Sequence, residues 1–126
     1  MPHLYIEYTD NLTREIDIQD VLAAAQKSLL LFPEIIPIGG LRIRAVTYEH
    51  YIIADGQADD AFIHLVLKMG SGRSASEKER ITEALFDAVS TQLDAVFERR
   101  NIALSLELHE FTYPTLKRNN IHARFK

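Results

Sequence analysis

The sequence predicts an α+β fold, an α/β two-layer sandwich. Duplicated β-α-β units build one four-stranded mixed sheet with two helices on one face. Three observations predict it. Apolar residues recur with period 2 or as compact apolar runs in four stretches, and with helical spacing in two. Their order along the chain is strand, helix, strand, repeated once. The length of 126 residues suits a single domain, taken as residues 1–126. Strands joined through a helix run parallel with right-handed crossovers, and one sheet shared by both units is the economical packing.

The first strand is Met1 to Tyr8, where Leu4, Ile6 and Tyr8 alternate with His3, Tyr5 and Glu7. Thr9-Asp10-Asn11 is turn chemistry. Asp17 is placed to cap a helix running to about Phe32, with Ile18, Val21, Leu22, Ala25, Leu29 and Phe32 on one face and Pro33 as its stop. Ile38-Gly39-Gly40 is a turn. Leu41 to Tyr48 reads as the second strand, with Arg42 and Arg44 sharing a face with Val46 and Tyr48. His50 to Asp60 is a connector with a short strand at Tyr51-Ile52-Ile53. Its aspartates Asp55, Asp59 and Asp60 lack the EF-hand spacing and terminal Glu, so no metal is assigned.

Ala61 to Met69 is apolar on nearly both faces and reads as a central third strand. Gly70-Ser71-Gly72-Arg73 leads into a long helix. Ser74 and Glu77 have the spacing of a capping box, and Ile81, Leu85, Phe86, Val89, Leu93, Val96 and Phe97 form the buried stripe. That helix is expected to end near Arg99-Arg100-Asn101. The fourth strand follows with Ile102, Leu104, Leu106 and Leu108 inward. The polar tail from Phe111 to Lys126 holds one further short strand, Ile121 to Phe125.

Helices on one face leave the other face of the sheet uncovered, so a symmetric oligomer is expected to cover it. A net charge of −4 argues against a nucleic-acid binder that relies on bulk positive charge. Absence of cysteine excludes disulfides and thiol catalysis. No apolar run approaches the roughly 20 residues of a membrane span, and no signal-peptide pattern is present, so a cytoplasmic protein with no membrane partner is expected. No serine has a nucleophile-elbow context. His3, His64 and His122 are assigned structural roles.

Pro2 opens the first strand, and a small second residue favours removal of the initiator methionine. A chain amino group has a pKa of about 7.7–8.0, which desolvation and nearby cations lower further. Such an amine is a neutral base near pH 7. If the two β-α-β units run antiparallel within the sheet, Pro2 and Arg42 open adjacent strands at the edge where the third strand ends, just before Arg73. An amine and two guanidinium groups then converge. Arg73 also lies at a helix N-terminus, where an anion is favoured, and arginine pairs bidentately with carboxylates.

Several segments also carry a resemblance: Met1-Pro2-His3, Ile36-Pro37-Ile38-Gly39-Gly40-Leu41-Arg42, Ala54-Asp55-Gly56, Leu67-Lys68-Met69-Gly70-Ser71-Gly72-Arg73-Ser74 and the tail from Asn119 to Lys126. Together they resemble the 5-carboxymethyl-2-hydroxymuconate Δ-isomerase family of the tautomerase superfamily, over essentially the whole chain. The resemblance implies a homotrimer whose three sheets form a central barrel, with active sites near subunit boundaries. It implies Pro2 as catalytic proton carrier and Arg42 and Arg73 as substrate-binding residues. It implies a small polycarboxylate substrate from homoprotocatechuate degradation and a 1,3-proton shift (ketonisation) that uses no cofactor. Two other readings stay open at this point: a tautomerase or decarboxylase for another unsaturated oxo-acid, and a non-catalytic oligomeric binding protein of the same fold.

Overall fold

The computed structural model describes all 126 residues. Four strands form one sheet: β1 (His3–Thr9), β2 (Arg42–Tyr48), β3 (Ala61–Gly70) and β4 (Ile102–Phe111). Their order is β2-β1-β3-β4. β1 pairs in parallel with β2, antiparallel with β3, and β3 pairs in parallel with β4. The helices are α1 (Ile18–Leu29), α2 (Ala75–Gln92) and the short α3 (Asp94–Arg99).

Period 2 in the strands and helical spacing in α1 and α2 send their apolar residues to one shared layer. Leu4, Ile6 and Tyr8 from β1 and Ile63, Leu65, Leu67 and Met69 from β3 meet Val21, Ala25 and Leu29 of α1 and Ile81, Leu85 and Val89 of α2. Full burial of such a side chain contributes about 1.5–3 kcal/mol relative to exposure. Ile102, Leu104, Leu106 and Leu108 on the edge strand β4 pack against this core without being fully enclosed. The opposite face of the sheet carries no helix. There the β3 residues Phe62, His64 and Val66 are only half-buried, although the strand is central.

The caps are where the sequence places them. The Asp17 carboxylate accepts from Gln19 N at 3.0 Å. Ser74 Oγ accepts from Glu77 N at 3.1 Å while Glu77 Oε1 accepts from Ser74 N at 2.9 Å, a complete capping box.

Four expectations are corrected. α1 ends at Leu29 rather than Phe32. Pro33 disfavours helical geometry at Phe32, and the chain tightens into turns in which Phe32 N bonds Leu29 O and Ile36 N bonds Phe32 O. The second helix is broken at Leu93, whose N–H bonds Ser90 O. The break carries Phe97 out of the stripe, leaving it 42% exposed, while Val96 stays buried. Tyr51-Ile52-Ile53 forms no strand, and Ile52 is 86% exposed. Ile121–Phe125 is a 3-10 helix rather than a strand. No helix is long and apolar enough to cross a membrane.

Arg100 ties the loops at the far end of the sheet. Its side chain is 11% exposed and pairs with Glu15 and, at 3.1 Å, with Asp59; it also donates to Asn11 O at 3.3 Å. Asn11 Nδ2 in turn donates to Asp59 Oδ1 at 3.0 Å. Burial alone would lower the Arg100 pKa, but Glu15 and Asp59 outweigh it and hold the charge. Arg100→Ala strands a partly buried carboxylate and is expected to cost about 3 kcal/mol. Ser74→Ala, which removes one cap, is expected to cost about 1 kcal/mol. Urea midpoints at unchanged slope measure both; equal midpoints for the two variants would contradict this ranking.

Candidate active site

The sheet register sets the geometry of one edge. His3 lies opposite Arg42 on β2 and opposite Lys68 on β3. The start of β1, the start of β2 and the end of β3 therefore meet. Arg42 N donates to Pro2 O at 3.1 Å, and Pro2 is buried.

Both arginines are oriented by backbone carbonyls. Arg42 Nη1 donates to Gly39 O at 3.2 Å and Leu41 O at 3.1 Å. Arg73 donates from Nε and Nη2 to Ile35 O at 3.2 and 2.8 Å and from Nη1 to Gly70 O at 2.9 Å. A guanidinium has five N–H donors, so each group is fixed yet keeps donors for a ligand. The turn that delivers Arg73 needs Gly72, whose φ of 119° lies in a region L side chains rarely adopt. The helix end itself contributes less than its sequence suggests. Glu77 supplies the negative charge at the start of α2, and its carboxyl is held below its ordinary value by the bonds it makes with Ser74, with Arg73 and Arg80 adding to this. Arg73, rather than the α2 N-terminus, is left to meet an anion.

The C-terminal tail closes over this edge. Asn119 Nδ2 donates to Gly39 O at 2.9 Å, joining Arg42 on the same carbonyl, and lies 3.5 Å from Met1 Sδ. His122 packs on Gly39 so closely that a Cβ there would sit 2.5 Å from His122 Nδ1. The Met1 amino group is pushed below its ordinary value of 8.0 by burial first, then by Lys117, Arg73 and Arg42. None of these three cations forms an ion pair; those of the protein involve His64, Lys78, Arg99, Arg100 and His109. An amine among three unpaired cations, in a chain of net charge −4, is a locus for an anion.

A second set of side chains surrounds His3 on the open sheet face. Arg44 Nη1 lies 3.2 Å from His3 Nδ1, and the Arg44 guanidinium stacks 3.9 Å from the Tyr5 ring centre. Further along that face His64 lies between Ser105 Oγ at 2.6 Å and Glu107 Oε1 at 2.9 Å, with His109 on the other Glu107 oxygen at 3.3 Å. The largest groove, about 680 Å³, runs between α1, β2 and the 3-10 helix of the tail. It shares Arg42 with the edge described above but is otherwise lined by residues such as Leu22, Ile43, Ile121 and Phe125, and neither Pro2 nor Arg73 borders it.

The family model for 5-carboxymethyl-2-hydroxymuconate isomerase matches residues 2–125. The chain belongs to this family. It is 39% identical over 128 residues to the 5-carboxymethyl-2-hydroxymuconate Δ-isomerase of Escherichia coli, with both chains covered in full. A crystal structure of a family protein from Deinococcus radiodurans R1 is 42% identical, with a TM-score of 0.93 covering 99% of this chain and 94% of that one. A fused 4-OT, itself a symmetric trimer, is 18% identical with a TM-score of 0.61 over 87% of each chain, which shows the tautomerase fold. The fold expected from the sequence is thus borne out, and family membership favours the isomerase reading over a non-catalytic binding protein.

Pro2, Arg42 and Arg73 lie at the common edge that the topology predicted. Lys117 and Asn119 were not singled out individually, because the tail has no periodicity to place it against the start of the chain.

Two outcomes follow from this geometry. Burial first, then Arg44, the chain amine, Arg42 and Lys68, hold the His3 imidazole below its ordinary value of 6.5. The unfolded chain then takes up this proton first, so stability contributed by neutral His3 falls as pH drops below about 6.5 toward the native pKa. Urea titrations across that window are expected to show a shallower pH slope for His3→Gln; an unchanged slope would exclude the effect. Gly39→Ala is expected to lift the tail, seen as faster trypsin cleavage after Lys117 or Arg118 with β3 still protected from hydrogen exchange.

Proposed function

We propose that this chain catalyses the cofactor-independent ketonisation of 5-carboxymethyl-2-hydroxymuconate in homoprotocatechuate breakdown, with the Pro2 amine as general base once Met1 is removed. The observation that carries this reading is the meeting of Pro2, Arg42 and Arg73 at one sheet edge, where Arg42 N donates to Pro2 O at 3.1 Å and neither guanidinium is in an ion pair. With Met1 in place the Pro2 nitrogen is an amide and has no basicity. The Met1 sulfur also lies 3.5 Å from Asn119 Nδ2 and 3.9 Å from Arg42 Nη2. Removing the residue frees both donors and moves the ionisable nitrogen to Pro2, beside Arg42, where a neighbouring cation favours the neutral form.

Neutral Pro2 accepts the proton of the 2-hydroxyl group, and the electron pair of that O–H bond enters the conjugated dienolate. The C2–O bond becomes a carbonyl, the double bond moves to C3–C4, and the protonated amine returns its proton to C5. The same dienol could equally be ketonised at C3, and the two ketones differ by a 1,3 shift; placement of the amine selects C5. Arg42 and Arg73 bind substrate carboxylates and offset the charge that builds on oxygen. No group is oxidised or reduced.

The assembly proposed is a cytoplasmic homotrimer. The helix-free sheet face and the exposed tail residues Tyr113, at 84%, and Leu116, at 95%, supply surface for it to cover.

Intact mass and turnover on one sample test the base. Activity is expected to scale with the Met1-free fraction, and Pro2→Ala to lower kcat by roughly 10²-fold, within the usual range for a general base. Full activity in protein retaining Met1 would overturn the mechanism. Arg42→Gln is expected to move the acid limb of kcat/KM to higher pH, because a cation that disfavours the protonated amine is gone.

A further inference from the structure

We propose that Asn119 is a substrate-binding residue, whose Nδ2 forms with the neighbouring Arg42 Nη2 a two-donor seat for one carboxylate oxygen of the substrate. The sulfur of Met1 fills that seat until the residue is removed. This role rests on the reaction proposed above.

One backbone oxygen sets the two groups side by side. Gly39 O accepts from Arg42 Nη1 at 3.2 Å and from Asn119 Nδ2 at 2.9 Å. Neither bond involves Met1, so the pair persists once that residue is gone. The amide is also held from its other end, where Oδ1 accepts from Ile121 N at 2.6 Å. That bond fixes which end is nitrogen, because exchanging the two would set donor against donor at Ile121 and acceptor against acceptor at Gly39. His122, packed on Gly39, keeps the tail down. Asn119 is accordingly half-buried between exposed neighbours on both sides.

An amide NH2 has two hydrogens, and Gly39 O takes one of them. The second meets only Met1 Sδ, 3.5 Å away, and the same sulfur lies 3.9 Å from Arg42 Nη2. A thioether is a weak acceptor, so two donors converge on an atom that satisfies neither well. The Met1 side chain reaches them along a gap kept open by glycine. A Cβ on Gly40 would sit 3.4 Å from Met1 Cγ and 3.6 Å from His122 Cε1. Loss of Met1 leaves that gap next to the Pro2 amine, with one cationic and one neutral donor at its side. A carboxylate oxygen has the lone pairs to accept from both, and bonds to a charged acceptor are the strong ones. The amide adds its bond without adding positive charge, so it tightens the hold on a carboxylate without further repulsion of the arginines or the amine.

The test uses muconate, a dicarboxylate that lacks the reacting 2-hydroxyl group. In Met1-free protein, saturation with muconate is expected to shift the Asn119 side-chain NH2 signals in heteronuclear NMR spectra. Unmoved signals would overturn the role, and this readout needs no substitution in the tail. By calorimetry, Asn119→Ala is expected to weaken muconate binding roughly ten- to a hundredfold, the value of one hydrogen bond to a charged group. Because Asn119→Ala also unpins the tail, a second comparison leaves Asn119 in place. It sets Met1-retaining protein against Met1→Gly, made by cleaving a tag ahead of residue 1. Both keep an amide at Pro2 and the same charge, and only the first has the sulfur. Met1→Gly is expected to bind muconate roughly tenfold more tightly; equal affinities would overturn the seat.

Turnover separates the seat from the reaction. Met1-free protein that does not accelerate ketonisation of the dienol, yet shows the shifted amide signals with muconate, would sustain the seat and overturn the reaction. Turnover with unmoved signals would do the reverse.

Discussion

The pairing of β1 between β2 and β3 is the constraint on which the rest of the structure depends. Because β2 runs parallel to β1 and β3 runs against it, two strand starts and one strand end share an edge. The hydrogen bond from Arg42 N to Pro2 O, at 3.1 Å, extends that pairing one residue beyond β1. A slip of one residue would turn Leu4, Ile6 and Tyr8 out of the core. The burial that fixes the register therefore also fixes which side chains meet at the edge, and the positions of Arg42 and Arg73 follow from hydrophobic packing some distance away.

The electrostatics of that edge run against local stability. Arg42, Arg73 and Lys117 repel one another and the chain amine, and the structure places no carboxylate in an ion pair with them. At the other end of the sheet Arg100 is treated in the opposite way, enclosed by Glu15, Asp59 and Asn11 O. One half-buried cation is neutralised and holds loops together; three others are left unneutralised around the start of the chain. The backbone carbonyls of Gly39, Leu41, Ile35 and Gly70 orient the two arginines without cancelling their charge. This contrast within one small chain separates a structural ion-pair network from a cluster of cations with no counter-charge.

Much of this was legible in the sequence because it rests on local rules. Alternation gave β1, β2 and β4, a compact apolar run gave β3, helical spacing gave α1 and α2, and Asp17, Ser74 and Glu77 marked the helix starts. The common edge followed from topology, since a strand–helix–strand unit repeated within one sheet leaves few arrangements. What stayed hidden depends on tertiary contact. The break at Leu93 falls inside an unbroken helical pattern. Ile121–Phe125 alternates like a strand, but His122 and its neighbours meet Gly39 and the α1 groove rather than a sheet edge, and the segment winds into a 3-10 helix. Lys117 and Asn119 lie in a polar tail whose composition says nothing about where it docks.

That docking joins residues far apart in the sequence. Asn119 touches Met1 across 118 positions of sequence, and His122 rests on the glycine turn that precedes β2. A chain emerging from the ribosome can form β1, α1 and β2 long before residues 117–122 exist. The contacts that Asn119 and His122 make with the Gly39 turn can therefore form only after the strands and helices beneath them have been made.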